Sequence, residues 1–284
     1  MVYKKIKIEN LEPLLEGLAI LGTGGGGSPA WGREIMVNDF NKGREYNIID
    51  PEEIENDSVV VSGGIMGSVK TLEKMNFGVI LERWEDNFEL EIAFEEMGKE
   101  LGKKIDYLVP FEMGGLNTPV ILSLGARVGI PVINGDALGR AAPETQMTSF
   151  IGHGVSLTPM PLIDHEGNVV IVRKAINPVY PDQIGRFIIT RSGGLGANNH
   201  YPMSGKQLKD SVIPNTISKA IEIGRHIINA RNNGENPVQV FKKMVSGIHI
   251  FNGKVKEISE EEAEGFYFTR IKLIGLEEDI NSSC

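Results

Sequence analysis

The chain has 284 residues, 41% of them apolar and 24% charged, with a net charge of −9. An acidic surface with scattered Lys and Arg repels nucleic-acid phosphates and anionic lipid headgroups, so no nucleic acid and no membrane is expected as a partner. The single cysteine, Cys284, excludes an internal disulfide and fits a cytoplasmic setting, and the N-terminus lacks the apolar stretch of a signal peptide or a membrane span.

Leu11, Leu14, Leu15, Leu18 and Ala19 recur at helical spacing, with Asn10 placed to cap that helix and Gly22 to end it. Next comes GTGGGG at 22–27, which satisfies Gly-x-Gly-x-x-Gly. A dinucleotide site needs a strand leading into those glycines, and here a helix does, so the fingerprint fails its context. Ser28 as N-cap and Pro29 as first residue open a second helix, AWGREIMVNDF. The glycines before it have two readings. Thr23, Gly24, Gly25 and Gly26 offer donors to a substrate anion or polarised oxygen; alternatively, the run is a helix-to-helix turn with several left-handed residues.

From residue 45 the pattern alternates. YNIID, SVVVS, IDYLVPF and IPVIN read as buried strands. Leu90, Phe94, Met97 and Leu101, then Val120, Ile121, Leu124 and Val128, mark helices between them. This predicts an α/β fold class with a largely parallel sheet, its ligand-facing loops gathered beyond the carboxyl ends of the strands. Near residue 160 the rhythm stops. PMPLIDHEGNVVIVR reads as strand, turn, strand; Asn215 or Thr216 caps a helix with the face Ile217, Ala220, Ile221, Gly224, Ile227 and Ile228. SGIHIFNGKVKEIS and GFYFTRIKLIGL read as antiparallel strands, with Asn252-Gly253 as a hairpin turn. The expected domains are therefore 1–164, α/β, and 165–284, a second, smaller α+β domain.

Three glycine-rich loops carry the chemistry: SGGIMGSVKTLEK, EMGGLN and NGDALGRAAPE. Glu112 follows an apolar strand, where burial would raise its pKa toward that of a working base; as a structural carboxylate it would instead accept N–H groups of the Gly114-Gly115 turn. Asp136 and Glu144 are the other catalytic candidates, with Arg140 between them to grip an anionic substrate or to build an ion-pair network. Gly64 and Asn117 complete the substrate-binding set, Asn117 having helix capping as its other reading. Glu73 and Lys74 read as a solvated pair, and Met66, Met75 and Met147 as core or pocket wall. His153 has no histidine or cysteine at metal-ligand spacing, so a metal, if held, would be a divalent ion on Glu112 or Asp136. Neither a Gly-x-Ser-x-Gly elbow nor a P-loop is present.

In order, GTGGGGSP, MGS with EK beyond it, EMGGLN, NGDALGRAAPETQM and DHEGNVVIV resemble the DUF917 family, also called S-methyl thiohydantoin desulfurases. The resemblance implies hydrolytic attack on hydantoin-like rings, including removal of sulfur from a thiohydantoin, and an α/β domain joined to a smaller one. The chain departs from the family at Ser28 and Asn134, where members usually carry Asp, and members continue with β-rich sequence beyond LEEDINSSC. The second domain is thus expected to be incomplete at its C-terminus. The function expected is that of a cytoplasmic, homo-oligomeric hydrolase of a small cyclic amide or thioamide; the alternative is a non-catalytic small-molecule-binding protein on the same fold.

Overall fold

The computed structural model describes residues 3–67, 77–245, 247–263 and 266–276. The chain divides into two compact units, residues 1–228 and 229–284.

In the first unit, β1 (Lys4–Ile6) leads into α1 (Leu11–Leu21), and α2 (Pro29–Asn41) follows the glycine run. Next are β2 (Tyr46–Ile49), β3 (Val59–Gly67), α3 (Phe77–Arg83), α4 (Glu89–Leu101), β4 (Tyr107–Pro110), α5 (Asn117–Val128), β5 (Val132–Ile133) and β6 (Gly135–Asp136). The short α6 (Ser149–Gly152) precedes β7 (Met160–Asp164), β8 (Val169–Val172), α7 (Val179–Arg191), β9 (Leu195–Ser204), α8 (Gly205–Ser211), β10 (Ile213–Pro214) and α9 (Thr216–Asn232).

Eight strands form one sheet in the order β1-β2-β5-β4-β3-β9-β7-β8. Its centre, β2, β5, β4 and β3, is parallel; β1 pairs antiparallel at one edge, and β9, β7 and β8 extend the other side antiparallel. Helices and loops cover both faces, so the central strands are apolar on both: Val61 and Leu108 face one core, Val60 and Val109 the other. The main sheet runs on past residue 164 through β8 and β9. The DHEGN turn between β7 and β8 is held by Asp164, which accepts from the Glu166 and Asn168 N–H groups at 3.0 and 2.8 Å.

Two features fix how helices pack on this sheet. Gly17 of α1 lies against the backbone of Ala220 in α9, and Gly224 of α9 against Pro13 of α1. A Cβ at either glycine would overlap main-chain atoms, so the two helices approach backbone to backbone. On α2, the fully buried Asp39 accepts from Tyr46 Oη and Arg44 Nη1, both at 2.7 Å. Glu85 accepts from Arg44 and Arg127, and the Arg127 guanidinium lies 5.1 Å from the Phe88 ring centroid. The charges are neutralised within the network, as burial requires.

The second unit comprises the last turn of α9, then α10 (Pro237–Val245), β11 (Gly253–Ala263) and β12 (Phe266–Gly275). β11 and β12 form a separate antiparallel ribbon. Its register corrects the expected turn: Gly253 pairs with Gly275 and Ala263 with Phe266, so Asn252-Gly253 lies at the open end of the ribbon. Cross-strand pairs such as Ile258 with Ile271 set the alignment, and they outweigh the local turn preference of Asn-Gly.

Candidate functional site

The parallel strands β4 and β5 end at one edge of the sheet, where the loop after β4, the loop carrying Ala142 and the glycine run meet. Glu112, just after β4, is 2% exposed. Its Oε2 accepts from the Ala142 N–H at 2.5 Å and its Oε1 from Asn117 Nδ2 at 2.6 Å. These are not the donors expected from the Gly114-Gly115 turn; the Gly114 N–H is taken by Thr118 Oγ1 at 3.1 Å. Burial raises the Glu112 pKa above the usual carboxylate range, against the two hydrogen bonds and the field of Arg140.

Asn117 does not cap α5; the position before the helix is Leu116, which makes no side-chain cap. Its Oδ1 instead accepts from the Ile65 N–H of β3 at 3.0 Å while its Nδ2 serves Glu112. Gly64 makes the space for this, since a Cβ there would stand 3.2 Å from Asn117 Oδ1.

The glycine run is packed onto the same loop. Gly26 touches Gly114 backbone to backbone, Gly27 lies against Leu116, and a Cβ on Gly25 would be 3.1 Å from that of Ala141. The Gly26 carbonyl accepts from the N–H groups of Leu116 and Asn117, at 2.8 and 3.2 Å. So the run is a turn between α1 and α2 whose glycines serve close approach and positive φ, with Gly24 at +92°, Gly26 at +69° and Gly27 at +77°. Gly24 alone of these faces open space. The N–H groups of Gly24, Gly26 and Gly27 have no acceptor among the described residues. Thr23 is turned away from the loops: its hydroxyl donates to the Ile20 carbonyl at 2.7 Å. Ser28 caps α2, accepting from the Ala30 N–H at 3.2 Å.

Asp136, fully buried in β6, turns its carboxylate onto its own loop and accepts from the Leu138 and Gly139 N–H groups at 2.9 and 2.8 Å. Burial pushes its pKa to about 7, assisted by the charge of Glu112. The expected ion-pair network of Asp136, Arg140 and Glu144 does not form. Glu144 accepts from Gln146 Nε2, and the exposed Arg140 guanidinium has no ion-pair partner among the described residues. Arg140 does join the loops by its carbonyl, which accepts from the Met113 N–H at 3.3 Å. Asn134, where the resembled family usually has Asp, donates to Asp50 Oδ1 at 2.8 Å and accepts from the Ser218 N–H at 3.1 Å. An amide can do both; a carboxylate there would face Asp50.

Glu112, Asn117, Gly25, Gly26, Gly64, Arg140 and Asp136 are therefore neighbours, while the Thr23 hydroxyl and the Glu144 carboxylate bond elsewhere. Glu73, Lys74 and Met75 lie outside the described residues, as does Cys284. Met66 packs on Gly185 and Met147 is exposed. No group of three or more His, Cys, Asp or Glu is placed to hold a metal ion among the described residues.

Beside the loops, on β9, lie polar residues the sequence pattern did not single out. His200 is 1% exposed, and its ring meets Phe111 edge-on with centroids 5.4 Å apart. Burial depresses its pKa to about 3, so the imidazole is neutral. The neighbouring Asn199 is fully buried, with both polar side-chain atoms unpartnered among the described residues. The polar run NNHY lacks the apolar alternation that marks a strand; the signal that could have found it is its place between Leu195 and Met203.

Family models match along the chain: the S-Me-THD-like N-terminal domain over residues 9–174 and the S-Me-THD-like C-terminal domain over 176–284. The crystal structure of a protein from Chromobacterium violaceum is similar, with a TM-score of 0.73 and 23% identity, covering 97% of this chain and 76% of that one. No curated protein matches.

Proposed function

Since the chain belongs to the S-Me-THD-like family, we propose that it is a hydrolase of a small hydantoin-like cyclic amide or thioamide, with Glu112 and Asp136 as its acid–base pair. The observation that carries this is the Glu112 carboxylate, desolvated between Asn117 and the Ala142 loop and raised in pKa. Desolvation of this kind poises a carboxyl group for proton transfer near neutral pH.

Glu112 takes a proton from water as its oxygen attacks the ring carbon between the two nitrogens. The tetrahedral intermediate carries its negative charge on sulfur, stabilised by the N–H groups of Gly24, Gly26 and Gly27, which have no acceptor among the described residues, and by the Arg140 guanidinium. Asp136 protonates the sulfur; the carbon–sulfur bond then breaks as the hydroxyl proton returns to Asp136 and the carbonyl re-forms, and the departing hydrosulfide takes the proton held by Glu112. The balance is thioamide plus water to amide plus hydrogen sulfide. The expected cytoplasmic setting and self-association belong to the same proposal; on membranes, no helix among the described residues is long and apolar enough to cross one.

Sulfide release from thiohydantoins tests it: Glu112→Gln and Asp136→Asn should each lower kcat by about 10²-fold or more, and full activity in both variants would refute the assignment. A second reading has its own observation. Both oxygens of Glu112 already accept N–H groups, which suits a binding protein whose carboxylate holds loops together. Stabilisation by hydantoin-like ligands with no product formed would favour it.

A further inference from the structure

We propose that Asn117 is a positioning residue, whose carboxamide is locked by the Ile65 N–H so that its own N–H must face Glu112 Oε1 and hold that carboxylate in place. This rests on the reading of Glu112 as the base.

The geometry leaves the amide one orientation. The Ile65 N–H can only donate, so the atom facing it at 3.0 Å must be Oδ1. Nδ2 then points at Glu112 Oε1, 2.6 Å away, and the opposite oxygen is fixed by the Ala142 N–H at 2.5 Å. Two donors aimed at two oxygens hold the carboxylate plane and favour its ionised form. The backbone of Asn117 is held too, its N–H donating to the Gly26 carbonyl at 3.2 Å. One residue thereby ties β3, the glycine run and the start of α5 to Glu112. Asp has the acceptor but not the donor, Ser is too short to span Ile65 and Glu112, and a side chain on Gly64 would displace the amide.

The charged groups facing Glu112 among the described residues are Arg140, whose field favours the carboxylate, and Asp136, which it repels. Neither is touched by replacing Asn117. Removing the Nδ2 donor therefore leaves burial less opposed, and the Glu112 proton is held to higher pH.

The test is a carbon-13 NMR titration of protein labelled at the glutamate carboxyl, with the Glu112 signal identified by its loss in Glu112→Gln. Asn117→Ala should raise the Glu112 midpoint by about one to two pH units. Asn117→Asp, which keeps the acceptor for Ile65 but turns a carboxylate toward Glu112, should raise it further. In sulfide-release assays the acid limb of kcat should move up by the same amount, with KM little changed. Unmoved midpoints in both variants, with wild-type near-ultraviolet circular dichroism, would overturn the proposal. So would a raised KM with an unmoved pH profile, the mark of a substrate contact. If Asn117→Ala does not fold, Asn117→Asp alone decides. The titration needs no turnover, so it separates this inference from the reading of Glu112 as base, which fails instead if Glu112→Gln keeps full activity.

Discussion

Asp136 and Glu85 are pulled in opposite directions by their surroundings. Hydrogen bonding to Arg44, with Arg127 adding to it, holds Glu85 well below the usual carboxylate range. Its contribution to stability is present above its ordinary pKa and lost as the pH falls. Burial pushes Asp136 up to about 7, so its stabilisation is complete below its unfolded pKa and is lost as the pH rises through 7. Asp136→Asn, which keeps an acceptor for the Leu138 and Gly139 N–H groups, should gain on wild type as the pH rises from about 4, the unfolded value, to about 7, the folded one, by up to about 4 kcal/mol for about three pKa units. Chemical denaturation at several pH values reads this directly, and a constant difference would contradict the assigned cause. Asn134→Asp should cost about 2–4 kcal/mol at neutral pH, because it sets a second carboxylate against Asp50 in a buried position; a melting temperature equal to wild type would count against it. At this scale the sequence was informative about position but not partnership. Glu112 was legible as a carboxylate after a buried strand. That Asn117 and Ala142 would donate to it was not, because the bonds join loops whose approach depends on the whole sheet.

Among the elements, the glycine run is best explained by what it touches. Gly26 and Gly114 meet backbone to backbone, and Gly24 faces open space. Gly26→Ala and Gly114→Ala should each lose about 2 kcal/mol or more and loosen the loops around Glu112. Gly24→Ala meets only the backbone penalty of its positive φ, about 1 kcal/mol. Thermal melts of the three variants check this ordering, and equal losses would remove the close-approach argument. The helices α1, α4, α5 and α9 were readable from apolar residues at helical spacing, and α2 from its Ser28 cap and Pro29. β9 was not, since its buried side chains include Asn198, Asn199 and His200. Asn252-Gly253 misled for the converse reason: a strong local turn signal sits where pairing between distant residues decides the register.

Taken as a whole, the chain joins a large sheet-based unit to a smaller one whose ribbon has only two strands. Two-stranded ribbons are marginal by themselves, and Val255, Ile258 and Ile271 are more than half exposed. Hydrogen exchange should find β11 and β12 among the fastest strands and β3 and β4 among the slowest; comparable protection would show the ribbon to be more firmly held than its exposure implies. The α/β class could be read from the alternation of strands and helices, whereas the antiparallel half of the sheet depends on the unrecognised β9. The backbone contact of Gly17 and Gly224 with α9 and α1 also has a bearing on synthesis. While the chain is still being made, the face of α1 that receives α9 has nothing to bury it. The nascent protein must shelter this surface until residues 216–228 have cleared the ribosome, and a stall before that point leaves a sticky, unfinished domain.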